Sequence, residues 1–419
     1  MAASFHIENF GCRANQAEGV ALTEALARAG MEPAGTEAAD WVVFNTCTVT
    51  AEADAAARRA IRTLHRRRPQ ARIAVTGCYA ERAAEEVRSL PGVAVVAGHK
   101  EKWALAERLV TPQAQPQKLA SLARLVASGV RSRPILKVQE GCGRACSFCV
   151  IPQVRGASRS RVLGEVLAEA AGYAAAGHAE LVCSGINLGQ WGRDLNQSLR
   201  LADLVRALLE QTPVQRLRLS SVEPADWSPE LTGLMAQAGG RLARHAHLPL
   251  QSGSDRVLRR MRRRYRARDY AERVEALAAR VPGVAIGADV MAGFPGESAA
   301  EFDHTCQWIA RLPLAYLHVF PFSARPGTEA AARLASGAWP VVPAAVTAER
   351  VRTLRELGAG KRVAFLDHLL GQTLSAVTLA DGTALSDNYA SLRLPAPLAP
   401  GRLIEVCVTG RQGEVLLAA

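Results

Sequence analysis

The stretch VQEGCGRACSFC, residues 138–149, places three cysteines at C-x3-C-x2-C spacing directly after an apolar run, PILKVQ, that reads as a buried strand. Thiolates at this spacing can converge on one metal centre. Three of them cannot complete the four-thiolate set of an ordinary iron–sulfur cluster, so one iron would stay open to a small-molecule ligand. A structural zinc with a distant fourth ligand also fits, but such sites usually repeat C-x2-C, and no second pair follows here. PILKVQ is also the first of six strand candidates. The others are ELVCS, RLRLS, HAHLPL, VAIGADVMAG and AYLHVF, beginning near residues 180, 216, 245, 284 and 315. Successive starts lie 29 to 46 residues apart, and Ala/Leu/Arg-rich amphipathic stretches fill the gaps. A βα unit takes roughly 30 residues. The spacing therefore predicts a six-fold (βα) array over 134–365, curved into a partial barrel with its chemistry at the C-terminal strand ends.

Upstream, residues 1–110 alternate strand and helix. FHIENF (5–10), WVVFN (41–45) and RIAVT (72–76) read as buried strands, and residues 16–29 and 51–68 as helices. That βαβα order implies a parallel α/β sheet. Each strand is followed by a cysteine: Cys12 in NFGC, Cys47 in FNTC and Cys78 in VTGC, 35 and 31 residues apart. Parallel strands one βα unit apart end at the same sheet edge, so these three cysteines are expected to meet as a second three-thiolate site. Three separate core cysteines are the alternative reading. Cys183, Cys306 and Cys407 stand alone and read as core or incidental. His245 and His247 share one face of HAHLPL and read as hydrogen-bonded core histidines. Residues 111–133 collect Pro, Gln and Ser and read as a linker with a short helix near 119–127. Residues 366–419 change to alternating, β-branched runs with Asp-Gly and Pro punctuation, the pattern of a small all-β module.

Composition bounds the rest. The chain has 419 residues, nine cysteines and a formal charge of +12. No apolar run approaches the ~18 residues of a membrane span, and the first residues lack the basic and apolar regions of a secretory signal. A cytoplasmic location is expected, where nine thiols favour a metal or redox role over disulfides. The positive charge suggests a polyanionic partner. Part of it is concentrated in two Arg runs, 58–72 and 256–268.

The motifs together resemble the radical S-adenosylmethionine (radical SAM) methylthiotransferases. CGRACSFC after VQEG is similar to the radical SAM signature, and GCRANQ, NTCTVT and TGCYA are similar to the family's N-terminal domain. IPQVRGASRSR, SGINLGQWG, LSSVEP, HLPLQSGSDRVLRRMRRRY, DVMAGFPGE and FPFSARPGT match further family segments. The resemblance implies an N-terminal cluster domain, a radical SAM (βα)6 partial TIM barrel and a C-terminal TRAM-like β-barrel. It implies two 4Fe-4S clusters, one on Cys142, Cys146 and Cys149 and the other on Cys12, Cys47 and Cys78, with no catalytic residue beyond the cluster cysteines. It implies S-adenosyl-L-methionine (SAM) contacts from Gly185, Asn187, Ser221, Glu223, Gln251, Ser252, Gly293, Pro295 and Gly296. A tRNA substrate is implied, touched by Arg262, Arg263, Arg264, Arg266 and Tyr389, together with an electron donor such as flavodoxin or ferredoxin. Neither membrane nor DNA is an expected partner.

Three substrate branches exist in this family: isopentenyladenosine in tRNA, N6-threonylcarbamoyladenosine (t6A) in tRNA, and an aspartate of a ribosomal protein. NTCTVTAEAD, TGCYAE, CSFCVIPQVRG and LHVFPFSARPGTEAA most resemble the t6A branch. Two departures stand out. Gly143-Arg144 replaces the branch's frequent Asn-Asn, and residues 384–389 read ALSDNY where the family has Gly-His-Thr-x-Asn-Tyr. A non-enzymatic reading, a zinc-stabilised RNA-binding protein, is the competing class.

Overall fold

The computed structural model describes residues 3–109, 132–195 and 198–419. The helix expected near 119–127, and nearly all of the expected linker, lie outside the described residues.

Five parallel strands form the first sheet: β1 (Ser4–Asn9), β2 (Glu32–Pro33), β3 (Trp41–Thr46), β4 (Arg72–Gly77) and β5 (Val93–Gly98), in the order β2-β1-β3-β4-β5. Every residue of β3 is buried. Val42 and Phe44 pack into one apolar cluster, Trp41 and Val43 into another. That split by parity is how a parallel strand fills both faces of a sheet. Helices Arg13–Arg28 and Ala51–Arg67 occupy the expected crossovers. Thr50 caps the second by accepting from the Ala53 amide at 3.1 Å. The sheet has two strands more than the sequence reading: the two-residue β2 and the edge strand β5.

Six more parallel strands follow in sequential order: β6 (Ile135–Glu140), β8 (Glu180–Gly185), β9 (Arg216–Leu219), β10 (His245–His247), β11 (Ala285–Ala292) and β12 (Tyr316–Pro321). The short β7 (Arg159–Ser160) adds antiparallel to β6. Single bridges, Leu217 to Leu242 and Ser221 to His247, join the β6-β8-β9 and β10-β11-β12 sheets into one arc. Helices including Leu163–Ala175, Leu201–Gln211, Ala267–Arg280 and Ala299–Arg311 supply its outer layer. Ala246, Leu248, Ala288 and Val290 belong to that outer core. By strand alternation, His245, His247 and Asp289 face the concave side.

The first sheet's domain touches both ends of the arc. Arg155, just after the loop that leaves β6, bonds to Glu18 and Asn15. Arg325, just after β12, pairs with Asp54, and the Ala51 amide donates to Ser323 Oγ at 3.0 Å. The open side of the arc is thereby spanned.

Helix Ala344–Asp367 leads into a closed barrel of β13 (Thr373–Thr378), β14 (Thr383–Ser386), β15 (Ser391–Arg393), β16 (Leu403–Gln412) and β17 (Val415–Ala418), in the order β13-β14-β15-β17-β16. Closure removes the free edges that so small a sheet would otherwise expose. Arg218, fully buried and paired to Glu180 at 2.8 Å, holds the barrel by donating to the Ser386 and Asp387 carbonyls at 2.9 Å. No described helix is long and apolar enough to cross a membrane.

Candidate active site between two cysteine triads

The register of the first sheet brings the distributed cysteines together. Asn9 pairs with Asn45, and Asn45 with Thr76, so β1, β3 and β4 end level with one another. Cys12, Cys47 and Cys78 follow at that edge. The turns that deliver them are tight. Gly11 (φ +89°) lies so close to Cys47 that a Cβ there would sit 2.7 Å from its Sγ. Asn45 braces the edge from beneath, donating to the Asn15 carbonyl at 2.7 Å and to Asn9 Oδ1 at 2.9 Å. Burial pushes the Cys78 thiol up to about 12, with Cys47 and Cys12 adding repulsion, and it raises Cys47 for the same reasons. Buried thiols that resist ionisation, as Cys47 and Cys78 do, suit a cationic centre, which would hold them as thiolates.

The second triad sits on one loop. The Cys142 amide donates to the Gly156 carbonyl at 3.0 Å, and the Cys149 amide to the Cys146 carbonyl at 3.2 Å. Donors surround the sulfurs. Cys142 Sγ accepts from the Arg144 amide at 3.4 Å and Asn187 Nδ2 at 3.5 Å, and Cys146 Sγ from Arg263 Nη1 at 3.6 Å. Burial raises Cys146 and pushes Cys149 up to about 12. Hydrogen bonds to sulfur are what an iron–sulfur site uses to set its potential.

The triads are neighbours. Cys78 packs in one apolar cluster with Val150 and Val154, and Val150 directly follows Cys149. Arg155 Nε donates to Cys78 Sγ at 3.1 Å, while Nη1 reaches Glu18 at 2.7 Å and Glu140 at 2.9 Å. Lys102 and Lys137 complete this buried network by pairing with Glu18. In the sequence, Arg155 stands inside IPQVRG with nothing local to mark its role. Its partner Glu18 lies 137 residues upstream, and only the fold pairs them.

The residues expected at SAM divide three ways. Asn187 and Glu223 lie by the loop triad, and Gln251 lies beside β11, its amide donating to the Asp289 carbonyl at 2.8 Å. Asn187 touches Cys142, and Glu223 holds the Arg263 that touches Cys146. Asn187 Oδ1 and Gln251 Oε1 are buried without a partner, the state of side chains facing a ligand's place. Gly185 abuts Gln139, whose Oε1 accepts from the Asn187 amide at 2.8 Å, and Ser221 is exposed beside His247. Ser252, Gly293, Pro295 and Gly296 are engaged by their own chain. Ser252 Oγ meets Thr305 Oγ1 at 3.3 Å, the Gly293 amide donates to Glu297 at 2.9 Å, and Arg260 donates to the Pro295 and Gly296 carbonyls.

Among the expected RNA contacts, Arg263 is corrected. Arg263 does not face solvent; its side chain is 5% exposed, because Glu223 and the Tyr265 hydroxyl draw it inward. Tyr389 (φ +65°) is stacked on His245 at 4.2 Å between ring centroids, so one face of the ring is already covered. Arg262, Arg264 and Arg266 are exposed, with Arg262 paired to Glu329 at 2.6 Å. In the 58–72 run, Arg58, Arg59 and Arg67 pair with Glu86, Glu52 and Glu37. A cleft of about 1120 Å³ between helix Arg13–Arg28 and β6 is lined by none of the six cysteines.

The family model described as "Uncharacterized protein family UPF0004" matches residues 4–98, and that of the "Radical SAM superfamily" matches residues 136–309. The curated threonylcarbamoyladenosine tRNA methylthiotransferase MtaB of Aquifex aeolicus is 35% identical over 413 residues, covering 96% of this chain and 99% of its own. The Bacillus subtilis protein of that name is 36% identical over 341 residues, 78% of this chain and 75% of its own. A tRNA-2-methylthio-N(6)-dimethylallyladenosine synthase of Parafrankia is 34% identical over 427 residues, covering 98% and 84%. Among solved structures, the radical SAM methyltransferase TsrM of Kitasatospora setae has a similar fold, with a TM-score of 0.57 at 16% identity, covering 80% of this chain and 78% of that one.

Proposed function

The chain belongs to the radical SAM methylthiotransferase family, and from that premise we propose that it adds a methylthio group to C2 of t6A beside the anticodon of tRNA. The observation that carries the reading is the juxtaposition of the triads: Cys78 packs on the residue after Cys149 and accepts from Arg155. Electron delivery and sulfur delivery need two open irons that face one cavity. In this reading Cys142, Cys146 and Cys149 hold one 4Fe-4S cluster, and Cys12, Cys47 and Cys78 hold the other. When bound, the first supplies an electron for reductive cleavage of SAM, and the second supplies sulfur. The protein's own part is placement and exclusion of water. Asn187 and Arg263 donate to the loop sulfurs, Arg155 donates to Cys78 from the helix that follows the loop triad, and the unpartnered Asn187 Oδ1 and Gln251 Oε1 are aimed at SAM. The glycines of the 293–296 turn hold its backbone near the same cavity. Exposed Arg262, Arg264 and Arg266 meet tRNA phosphates, so RNA affinity should fall steeply with salt. A small electron carrier such as flavodoxin or ferredoxin serves the loop cluster, in the cytoplasm. The C-terminal barrel acts as a TRAM-like module.

Mass spectrometry of tRNA nucleosides from a deletion strain tests the reading. The 2-methylthio form of t6A should vanish while t6A accumulates. Its persistence, with no second such enzyme present, would refute the proposal. Anaerobic purification should yield iron and sulfide near about eight each per chain. Zinc without iron would favour the RNA-binding alternative. The Parafrankia relative supports a second reading, with isopentenyladenosine as substrate, and loss of its methylthio form in the same strain would select it.

A further inference from the structure

The concave face of the arc carries a continuous polar chain that the cysteine chemistry does not use. His245 Nε2 meets Tyr316 Oη at 2.8 Å, and the same hydroxyl meets His247 Nδ1 at 3.0 Å. His247 Nε2 meets Asp289 Oδ1 at 2.9 Å, and that oxygen meets His318 Nδ1 at 3.3 Å. Burial opposes ionisation of Asp289, but the hydrogen bonds from the two histidines prevail and hold its carboxyl well below the usual range. The chain runs from fully buried His245 to His318, whose side chain is 58% exposed. With Nδ1 turned to Asp289, His318 presents Nε2 to whatever enters. An Asp-anchored imidazole is fixed in tautomer and orientation, and in its protonated form Nε2 donates.

A second cation stands near the chain. Arg13, the residue after Cys12, donates to Tyr389 Oη at 3.4 Å, and among the described residues it has no carboxylate partner. Its charge is felt at both His245 and Tyr316. Tyr389 and Tyr316 lie 5.5 Å apart between centroids, and Tyr316 and His318 lie 5.2 Å apart. One aromatic shelf therefore carries a guanidinium with uncommitted donor hydrogens at one end and an imidazole at the other, whose Nε2 becomes a donor when the ring is protonated. Such a pair suits a small anion, and a purely apolar group would leave it unsatisfied.

We propose that Arg13 and His318 form the subsite for a carboxylate borne on the N6 substituent of the target adenosine. This deepens the t6A reading and rests on it: the threonylcarbamoyl group ends in a carboxylate, and the isopentenyl group has no polar atom. A site built to bond a polar group rejects an analogue lacking it, because its own donors are then stranded. His247, Asp289 and Tyr316 are positioning residues that fix His318 from behind.

The test uses the reconstituted holoenzyme and anticodon stem-loop RNAs carrying t6A, its neutral threoninamide counterpart, or unmodified adenosine at the target position. Methylthiolation kinetics and RNA affinity by fluorescence anisotropy are read for the wild type, His318→Phe and Arg13→Gln. Iron content checks that Arg13→Gln has kept its neighbouring cluster. The wild type should favour carboxylate over carboxamide by about tenfold to hundredfold, the range of a charge-assisted hydrogen bond. Each variant should lose most of that ratio, in KM more than in kcat, with affinity for the unmodified RNA retained. The ratio surviving within twofold in both variants would overturn the subsite. An equal loss of affinity for all three RNAs would also overturn it, since the anion would then be a backbone phosphate. So would a divalent ion bound one per chain in the wild type and absent from His318→Phe, because His247, Asp289 and His318 would then be its ligands. If the wild type fails to methylthiolate the t6A RNA at all, the t6A reading itself fails, an outcome distinct from the other three.

Discussion

The two cysteine triads present the same donor set by opposite means. Cys142, Cys146 and Cys149 lie within eight residues on one loop, and the backbone bonds of that loop arrange them. Cys12, Cys47 and Cys78 span 67 residues, and nothing local relates them; they meet only because three parallel strands end in register. A local site survives as long as its loop does. A distributed site is a property of the folded sheet and inherits every strain placed on it. The two should therefore fail differently.

On the proposed reading, the largest effects come from the cysteines themselves. Cys142→Ala should abolish both SAM cleavage and methylthiolation. Cys47→Ala should spare reductive SAM cleavage, measured as 5′-deoxyadenosine, while stopping methylthio transfer. Each should halve the iron of the anaerobically purified chain, from about eight to about four. Full methylthiolation by Cys47→Ala would remove the distributed triad from the chemistry.

Next in size is Arg155→Gln. Arg155 is fully buried and neutralises Glu18 and Glu140 while donating to Cys78. Removing one partner from such a network costs about 3–5 kcal/mol, visible as a lower denaturation midpoint. Because the guanidinium reaches only the distributed triad, that triad should lose its iron first. In a Cys142→Ala background the remaining iron should fall, whereas in a Cys47→Ala background it should hold. Equal loss in both backgrounds would mean that the two sites form one folding unit.

The same contrast governs what could be read from the sequence. All six strands of the arc begin within a residue or so of the positions expected from apolar runs, because a short apolar run bounded by polar stretches marks a strand locally. The common sheet edge of Cys12, Cys47 and Cys78 was legible for a related reason: a strand end is a local feature, and parallel topology does the rest. The two-residue β2 had no pattern to offer, since pairing alone defines it. Side-chain direction was equally hidden. Arg263 was expected among the phosphate contacts, in a run that could also be partly structural, and Glu223, 40 residues upstream, turns it in. Tyr389 was expected to be open to a base, yet it stacks on His245 from another element. The polar chain from His245 to His318 draws on three strands, so no window of sequence contains it.

A smaller perturbation should separate the sites by strain. Gly11 sits at φ +89°, and an added Cβ would overlap Cys47. Gly11→Ala should cost about 1–3 kcal/mol of backbone strain and lower iron retention in a Cys142→Ala background. The Cys47→Ala background should retain its iron. If both backgrounds are indifferent to Gly11→Ala, the sheet edge is more pliable than its packing implies.

The smallest effect is expected at the loop triad. Asn187 donates to Cys142 Sγ at 3.5 Å, a long bond to a sulfur whose loop is already fixed by the Cys142 amide and the Gly156 carbonyl. Asn187→Ala therefore should not expel the cluster, and iron should stay at the wild-type level. What the amide provides is a donor to the sulfur from its nitrogen and an unpartnered oxygen beside it. Loss of the donor destabilises the reduced, more negative form of a cluster, so its potential should fall. Loss of the oxygen should weaken SAM. Together these should slow SAM cleavage by about tenfold, the low end for residues behind a metal ligand, with the potential read by EPR-monitored titration in a Cys47→Ala background. If Asn187→Ala instead empties the loop site, the local triad leans on the arc as heavily as the distributed one leans on its sheet, and the division between them falls.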